Sequence, residues 1–223
     1  MTELEPAAIL WDMDGTIVDT EPYWMAAETE LVARFGGTWT HEDAITLVGS
    51  GLWHSARVLQ AHGVDLPEDE IIETLTSMVL EQIEIEVPWR PGALELLTDI
   101  HANNVPAALV TMSIRRMAER VAEAMPFALF QAIVAGDDVT HSKPHPEAYL
   151  RGAELLGVEA RDCVAIEDSA PGVASAVASG AVVIGIPMHS VIPNSGDHTV
   201  WSTLAGRSLD DLRAVYRKER TNA

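Results

Sequence analysis

Residues 9–21 of the chain are ILWDMDGTIVDTE, an apolar run that ends in two closely spaced aspartates. The run from Ala7 to Trp11 predicts a short buried strand. Asp12 and Asp14 follow at the point where that strand would end. Two carboxylates this close repel each other unless a cation or another compensating group lies between them. The pair therefore indicates a functional site at a strand end, although Asp-Gly is also common in ordinary turns.

Outward from this stretch, the chain is first helical and then alternates between strands and helices. Apolar spacing predicts helices over 24–35, 53–61 and 68–84. After Pro91, continuously apolar strands alternate with helices; the strands are over 107–110, 132–135, 163–166 and 182–186, and the helices over 93–101, 114–124, 146–156, 171–179 and from Ser208 onward. Such strands are typical of a parallel sheet that is buried on both faces.

The predicted fold class is therefore α/β, a doubly wound parallel-sheet, Rossmann-like core with an inserted helical cap domain. The core is predicted to comprise residues 1–18 and 88–223, and the cap residues 19–87. Ligands of open α/β sheets bind at the carboxyl ends of the strands. An insertion after the first strand would lie over such a site.

Composition excludes several classes of partner. The 14 basic and 34 acidic residues give a net charge of −20, so no basic stripe is expected to bind nucleic acid or an anionic membrane. The chain shows neither a signal-peptide pattern nor an apolar run near the ~18 residues of a membrane span, so a cytoplasmic protein is expected. The one cysteine, Cys163, lies in an apolar run and is expected to be a buried thiol.

Polar residues follow the predicted strands and would meet at one edge of the sheet. They are Asp12 and Asp14 after the first strand, Thr111 after the second, Lys143 after the third, and Glu167 and Asp168 after the fourth. Carboxylates crowded in one crevice favour a hard cation, and Mg²⁺ is commonly held by one or two carboxylates together with substrate phosphate. Gly15, the Thr111 hydroxyl and the Lys143 charge suit a phosphate group. The set predicts a Mg²⁺-phosphate site.

These motifs, Asp12-Met13-Asp14-Gly15-Thr16, Thr111, Lys143-Pro144-His145-Pro146 and Glu167-Asp168-Ser169, occur in the order that characterises a known superfamily. The chain resembles the haloacid dehalogenase superfamily, in its helical-cap subgroup of sugar phosphatases and β-phosphoglucomutase-like proteins. The resemblance covers nearly the whole chain. It implies a Mg²⁺-dependent phosphatase that hydrolyses a small phosphomonoester, most plausibly a sugar phosphate.

The resemblance also implies a role for each motif residue. Asp12 would be the nucleophile that forms an aspartyl-phosphate, and Asp14 the general acid and then base. Mg²⁺ would be held by the Asp12 carboxylate, the Asp14 backbone carbonyl and Asp168, with Glu167 nearby. The residues expected to bind the phosphoryl group or the substrate are Thr111, Lys143, Gly15, Ser113 and the backbone amides of Met13 and Met112.

Two rival functions are kept. A phosphomutase of the β-phosphoglucomutase type carries a cap histidine twelve residues after its nucleophile, and Trp24 stands at that position here. A non-enzymatic phosphoacceptor or binding protein is the rival of another class, but receiver domains place their acceptor on a later strand and lack the helical insertion. The partner expected in each case is a small phosphorylated metabolite, and the protein is expected to be a monomer or a small homo-oligomer.

Several further residues are weighed and left out of the catalytic set. Asp19 and Glu21 are expected to start a helix at the hinge into the cap. The glycine-rich segment 49–51 is expected to be a cap loop that faces the site. No zinc site is expected among the eight histidines. His145 is expected to be a loop residue that supports Lys143 and not a catalyst. The remaining candidates for substrate contact, each more typical of ordinary helix positions, are Trp53, His54, Arg57, Arg115 and Arg116.

Overall fold

A computed structural model of the protein describes residues 4–48, 50–193 and 195–222. In chain order the elements are β1 (Ala8–Trp11), α1 (Glu21–Arg34), α2 (His41–Ile45), α3 (Leu52–Ala61), α4 (Glu68–Ile85), α5 (Ala93–Ala102), β2 (Ala107–Val110), α6 (Arg115–Glu123), β3 (Ala132–Val134), α7 (Glu147–Leu155), β4 (Cys163–Glu167), α8 (Ala170–Ala178), β5 (Val182–Gly185), β6 (Thr199–Val200) and α9 (Leu209–Asn222).

The strands form one parallel sheet in the order β3-β2-β1-β4-β5-β6. Strand β1 is central, with Trp11 paired to Leu109 of β2 and to Ile166 of β4. Alternate residues of β1 belong to two separate buried clusters, because Ile9 and Trp11 face one side of the sheet and Leu10 faces the other. Both faces are covered, which confirms the predicted α/β class.

Helices α1 to α4 form the insertion that follows β1, and they pack on one another. The chain leaves the sheet and returns to it at adjacent segments. Val18 forms an antiparallel bridge with Trp89, and the amide of Asp19 donates to the carbonyl of Pro88 at 2.8 Å. Buried apolar residues of the insertion, such as Leu31, belong to the same cluster as Ile9. The insertion therefore shares one continuous apolar cluster with that face of the sheet.

The long periodic elements lie within a residue or two of their predicted positions, except that α1 begins three residues before the predicted start at Trp24. Two short elements were not predicted. Helix α2 has five residues and one buried residue, and β6 is a two-residue edge strand. Elements this short carry too little periodicity to be recognised. Two local caps are clear: Asn104, after α5, has a φ of 54°, and the Ser169 hydroxyl caps α8 by accepting from the Gly172 amide at 3.2 Å.

Cys163 is fully buried at the start of β4, and burial raises the pKa of its thiol to about 12. The expectation of a buried thiol is confirmed. Across the part of the chain that the structure describes, no helix combines the length and the apolar character needed to cross a membrane.

Candidate active site

The carboxyl ends of β1, β2 and β4 bring the predicted residues to one cavity of about 130 Å³. Asp12 and Asp14 follow β1, Thr111 follows β2, and Asp168 follows β4. They converge because neighbouring strands of a parallel sheet end at the same edge. Of the predicted site residues, those that line the cavity are Asp12, Asp14, Gly15, Thr111, Met112, Ser113, Lys143 and Asp168. Met13 and Glu167 are fully buried beside it.

Lys143 is held by three acceptors beneath the cavity. Its Nζ donates to Asp12 Oδ1 at 2.8 Å, to Glu167 Oε1 at 2.6 Å and to the carbonyl of Val110 at 3.0 Å. Its side chain is only 5% exposed. Burial lowers the pKa of Lys143, but the attraction of Asp12 and Glu167 outweighs burial and the net shift is upward. Lys143 is therefore a fixed positive charge beside Asp12.

Glu167 is fully buried, and both of its carboxylate oxygens accept hydrogen bonds. Oε1 accepts from Lys143 and from the Tyr149 hydroxyl at 2.8 Å, and Oε2 accepts from the amide of Asp168 and the hydroxyl of Ser169 at 3.1 Å each. A Cβ at Gly172 would lie 1.9 Å from Glu167 Oε1, so only glycine leaves room for this carboxylate. These contacts compensate the burial of a charged group.

Each carboxylate oxygen of Asp12 accepts one hydrogen bond from a neighbouring side chain. Oδ1 accepts from Lys143, and Oδ2 accepts from the Thr16 hydroxyl at 2.9 Å. Burial raises the pKa of Asp12 to about 7, and repulsion by Glu167 adds to this effect while Lys143 opposes it. Asp12 is 6% exposed and borders the cavity, so its carboxylate is oriented and accessible from one side.

Asp14 lies above Asp12 and is bound by three hydroxyl groups. Its Oδ1 accepts from Thr20, and its Oδ2 accepts from Ser113 at 2.7 Å and from Thr111 at 3.3 Å. The Thr111 hydroxyl also accepts from the amide of Ser113 at 3.0 Å. Strand ends β1 and β2 and the start of the insertion thus fix the Asp14 carboxylate at the wall of the cavity.

Three carboxylates are grouped closely enough to hold a metal ion. Oxygens of Asp12, Glu167 and Asp168 lie within 4.8 Å of one another. The pKa of Asp168 is raised well above its ordinary value by burial and then by repulsion from Asp12 and Glu167. Gly15, at a φ of 79°, allows this approach, since a Cβ there would lie 2.1 Å from Asp168 Oδ2.

The insertion supplies the opposite wall of the cavity. Glu21, Trp24 and Glu28 of α1 line it, and the other lining residues contributed by the insertion are Leu47, Val48, Ser50, Gly51, Leu52, Ser55 and Leu75. Ser50 and Gly51 belong to the loop that was expected to face the site, while Gly49 falls outside the described residues. Glu21 begins α1 as expected, and it also reaches the cavity.

The remaining candidates for substrate contact do not line this cavity. Trp53 donates from Nε1 to Asp69 at 3.2 Å, Arg57 pairs with Glu68 at 2.9 Å, and His54 is exposed. Arg115 pairs with Asp138, and Arg116 of α6 pairs with Glu73 of α4 at 2.9 Å. Trp53 and the three arginines therefore bind other surface residues, as expected for ordinary helix positions.

A second group of possible metal ligands lies outside the cavity and includes two histidines. His141, His145 and Glu147 place ligand atoms within 4.8 Å of one another, and His141 Nδ1 lies 2.8 Å from Glu147 Oε2. His141 and His145 are four residues apart, and this spacing was a sequence signal for the group. Both histidine side chains are more than half exposed, at 62% and 51%.

Functional neighbours that the sequence analysis missed include Thr16, Thr20, Tyr149, Glu28 and His189. Thr16 and Thr20 lie within the quoted stretch 9–21, so proximity to Asp12 and Asp14 was an available signal. Tyr149 and Glu28 lie on helices, where their spacing also fits an ordinary buried face. His189, in a loop after β5, pairs with Asp19 at 3.0 Å and had no sequence signal.

Comparison with known proteins gives consistent relatives. Residues 6–180 match the profile of the haloacid dehalogenase-like hydrolases. The chain is 32% identical over 180 residues to the fructose-1-phosphate phosphatase YqaB of Escherichia coli (strain K12), covering 78% of this chain and 93% of that protein. It is 28% identical over 188 residues to hexitol phosphatase B of the same organism, covering 81% and 83% of the two chains.

A solved structure matches over almost the same extent. A mutant of CbbY from Rhodobacter sphaeroides, in complex with xylulose-(1,5)bisphosphate, superposes with a TM-score of 0.83 at 25% identity. The match covers 93% of this chain and 99% of that one, so it includes both the sheet and the inserted helices.

Proposed function

Because the chain belongs to the haloacid dehalogenase-like hydrolase family, we propose that it is a Mg²⁺-dependent phosphatase that releases phosphate from a small phosphomonoester, a sugar phosphate in particular. The observation that carries this proposal is the orientation of Asp12, held by Lys143 and Thr16 with its carboxylate at the cavity surface. The activities for which YqaB and hexitol phosphatase B are named support a sugar or sugar-alcohol phosphate.

The carboxylates at the base of the cavity fit a metal ion. Asp12 and Asp168 lie together with Glu167, and burial, followed by repulsion among these carboxylates, raises the pKa values of Asp12 and Asp168. A hard divalent cation would relieve this repulsion. We assign its binding to the Asp12 carboxylate, the Asp14 backbone carbonyl and Asp168, with Glu167 close by. Bound there, Mg²⁺ would neutralise charge on the phosphoryl oxygens.

The residues around the cavity then divide the reaction between them. Asp12 forms a bond to phosphorus, the bond from phosphorus to the leaving oxygen breaks, and Asp14 donates a proton to that oxygen. Asp14 next takes a proton from water, which attacks the aspartyl-phosphate and releases phosphate and free Asp12. Lys143, Thr111, Ser113, Gly15 and the amides of Met13 and Met112 are assigned to the phosphoryl group and the adjoining substrate.

The inserted helices are assigned the role of a cap. Residues 19–87 would be the cap domain and residues 1–18 and 88–223 the core, with the paired segments at Val18 and Trp89 as the hinge. The insertion supplies one wall of the cavity, which supports this division. A cytoplasmic location and a monomeric or small homo-oligomeric state are retained as predictions.

The rival functions are less well supported by the cavity. Trp24, at the position of the mutase histidine, lines the cavity and offers no acid or base there. A protein that only binds a phosphorylated ligand would not need Asp14 fixed beside Asp12 by three hydroxyl groups.

Phosphate release from p-nitrophenyl phosphate tests the proposed function. The wild-type protein with Mg²⁺ should release phosphate, and EDTA should stop the release. Asp12→Asn should lose at least about 10³-fold in kcat, because a neutral amide cannot act as the nucleophile. Asp65→Asn, an exposed substitution between α3 and α4, is the matched control and should retain full activity. Equal activity of Asp12→Asn and wild type would overturn the proposal.

A further inference from the structure

The wall of the cavity opposite Asp12 is acidic, and none of the proposed catalytic steps uses its carboxylates. Glu21 and Glu28 lie on α1, and both line the cavity with Trp24 between them in sequence. Glu28 is only 5% exposed. A buried carboxylate at the edge of a binding cavity is unfavourable unless something binds to it.

Glu28 has a single hydrogen bond among the described residues. Its Oε2 accepts from Trp39 Nε1 at 3.2 Å, which fixes the side chain, while Oε1 accepts from none of the described side chains or amides. Burial raises the pKa of Glu28 to about 7, and the bond from Trp39 opposes this shift without cancelling it. Glu28 therefore offers a free acceptor oxygen that no cation compensates.

The same cavity offers no free cation to a second anionic group. Among the described residues that line it, Lys143 is the only lysine or arginine, and its three protons are directed at Asp12, Glu167 and Val110. His189 also lines the cavity, but it is paired with Asp19 at 3.0 Å. A distal phosphate or carboxylate of a substrate would therefore meet Glu21 and Glu28 without a partner.

Building on the phosphatase function proposed above, we propose that Glu28, with Glu21, selects substrates whose distal end carries hydroxyl groups and excludes those with a second anionic group. Hydroxyl groups can donate to the free oxygen of Glu28, and Trp24 offers a flat apolar surface to the carbon chain. Like charges placed together in such a cavity cost several kcal/mol. Sugar bisphosphates and phosphorylated sugar acids are thus poor substrates, in contrast to the bisphosphate bound by CbbY.

A matched pair of substrates tests this selection. Sorbitol 6-phosphate and 6-phosphogluconate have the same carbon chain and phosphate, but the distal end is a hydroxymethyl group in the first and a carboxylate in the second. At pH 8, above the pKa of Glu28, the wild-type protein should prefer sorbitol 6-phosphate by at least about 100-fold in kcat/KM, the factor expected when like charges meet in a cavity. Equal values for the two compounds would overturn the inference.

Substitution of Glu28 tests whether this residue causes the substrate preference. Glu28→Gln keeps the shape of the side chain and an oxygen that can accept from Trp39. It should reduce the ratio of kcat/KM for sorbitol 6-phosphate to that for 6-phosphogluconate by at least about tenfold. Glu30→Gln, on the exposed side of the same helix and paired with Arg34, should leave the preference unchanged. An equal narrowing in both variants would contradict a specific role of Glu28.

Hydrolysis of p-nitrophenyl phosphate separates this inference from the proposed function. If the wild-type protein hydrolyses neither p-nitrophenyl phosphate nor sorbitol 6-phosphate, the phosphatase function itself fails. If it hydrolyses p-nitrophenyl phosphate but not sorbitol 6-phosphate, the phosphatase function stands and the selection of hydroxyl-bearing substrates is wrong.

Discussion

At the scale of single residues, the contacts of Lys143 and Glu167 depend on where the fold places them and not on residue type alone. Lys143 was predicted to bind phosphate and Glu167 to lie beside the metal. In the structure the two also bind each other at 2.6 Å, and Tyr149 and Ser169 bind the same glutamate. Glu167 thus holds Lys143 against Asp12. No sequence pattern indicated this contact, because 24 residues separate the two partners.

Glu28 should make the stability of the protein depend on pH. Its pKa is about 7 in the folded protein and near 4.5 when exposed, so the folded state binds more protons between these values. The free energy of unfolding should therefore fall as the pH rises through that range. Glu28→Gln removes the ionisation and should be more stable than wild type at pH 8, by at most about 3 kcal/mol, with little difference at pH 5.

Urea unfolding of wild type, Glu28→Gln and Glu30→Gln at pH 5 and pH 8 measures this effect. The exposed control at position 30 should show no such dependence. If Glu28→Gln is less stable than wild type at pH 8, the carboxylate is compensated in the folded protein, and the account of this wall is incorrect.

At the scale of elements, the sequence predicted the parts of the fold that depend on local periodicity. Strand β2 has the predicted bounds, and α4 extends one residue beyond its predicted end at Glu84. The sequence could not predict α2 or β6, which exist because of their neighbours rather than their own spacing. The sequence also could not predict that α1 packs against α4, because helical periodicity indicates an apolar face but not the element that it contacts.

Helix α8 should tolerate a methyl group at Gly172 poorly, because the added Cβ would overlap the Glu167 carboxylate. Displacement of Glu167 would move Lys143 and Asp12 from their positions. Gly172→Ala should lower kcat/KM for p-nitrophenyl phosphate by about 10²-fold, the usual effect of a misplacement of about 1 Å.

Gly152→Ala, on the helix α7, is the comparison for Gly172→Ala. Its Cβ would also be crowded, at 2.9 Å from Val110 Cγ2, but the neighbour is an aliphatic side chain and not a site carboxylate. Activity should therefore fall less in Gly152→Ala, after correction for the folded fraction by circular dichroism. Similar losses in the two variants would show that crowding in general, and not Glu167, is responsible.

At the scale of the whole molecule, parallel topology explains which half of the site was predictable. Residues at the strand ends must converge, so Asp12, Thr111 and Asp168 could be grouped from their positions after apolar runs. No such rule predicts which residues of the insertion line the cavity. Glu28 and Ser55 reach the cavity only because α1 and α3 pack in a particular orientation. The sequence therefore predicted the phosphate end of the cavity better than the end that faces the rest of a substrate.

The net charge of −20 should make the folded protein sensitive to ionic strength. Repulsion among excess carboxylates opposes the compact state. An increase from about 0.01 M to about 0.15 M NaCl shortens the Debye length from about 30 Å to about 8 Å. The free energy of unfolding at pH 7, measured with urea in EDTA, should increase with salt. A decrease would show that the attractive surface ion pairs outweigh the overall repulsion.

If Asp12 takes the phosphoryl group during turnover, acid quenching followed by peptide mass spectrometry should detect the aspartyl-phosphate at this residue. The substrate is p-nitrophenyl phosphate, whose leaving group needs little protonation, and the protein is Asp14→Asn, which lacks the base for hydrolysis. We expect phosphorylated Asp12 in the quenched protein and no phosphorylation at this position in Asp12→Asn. Steady phosphate release by wild type, with Asp12 unmodified in every quenched sample, would contradict it.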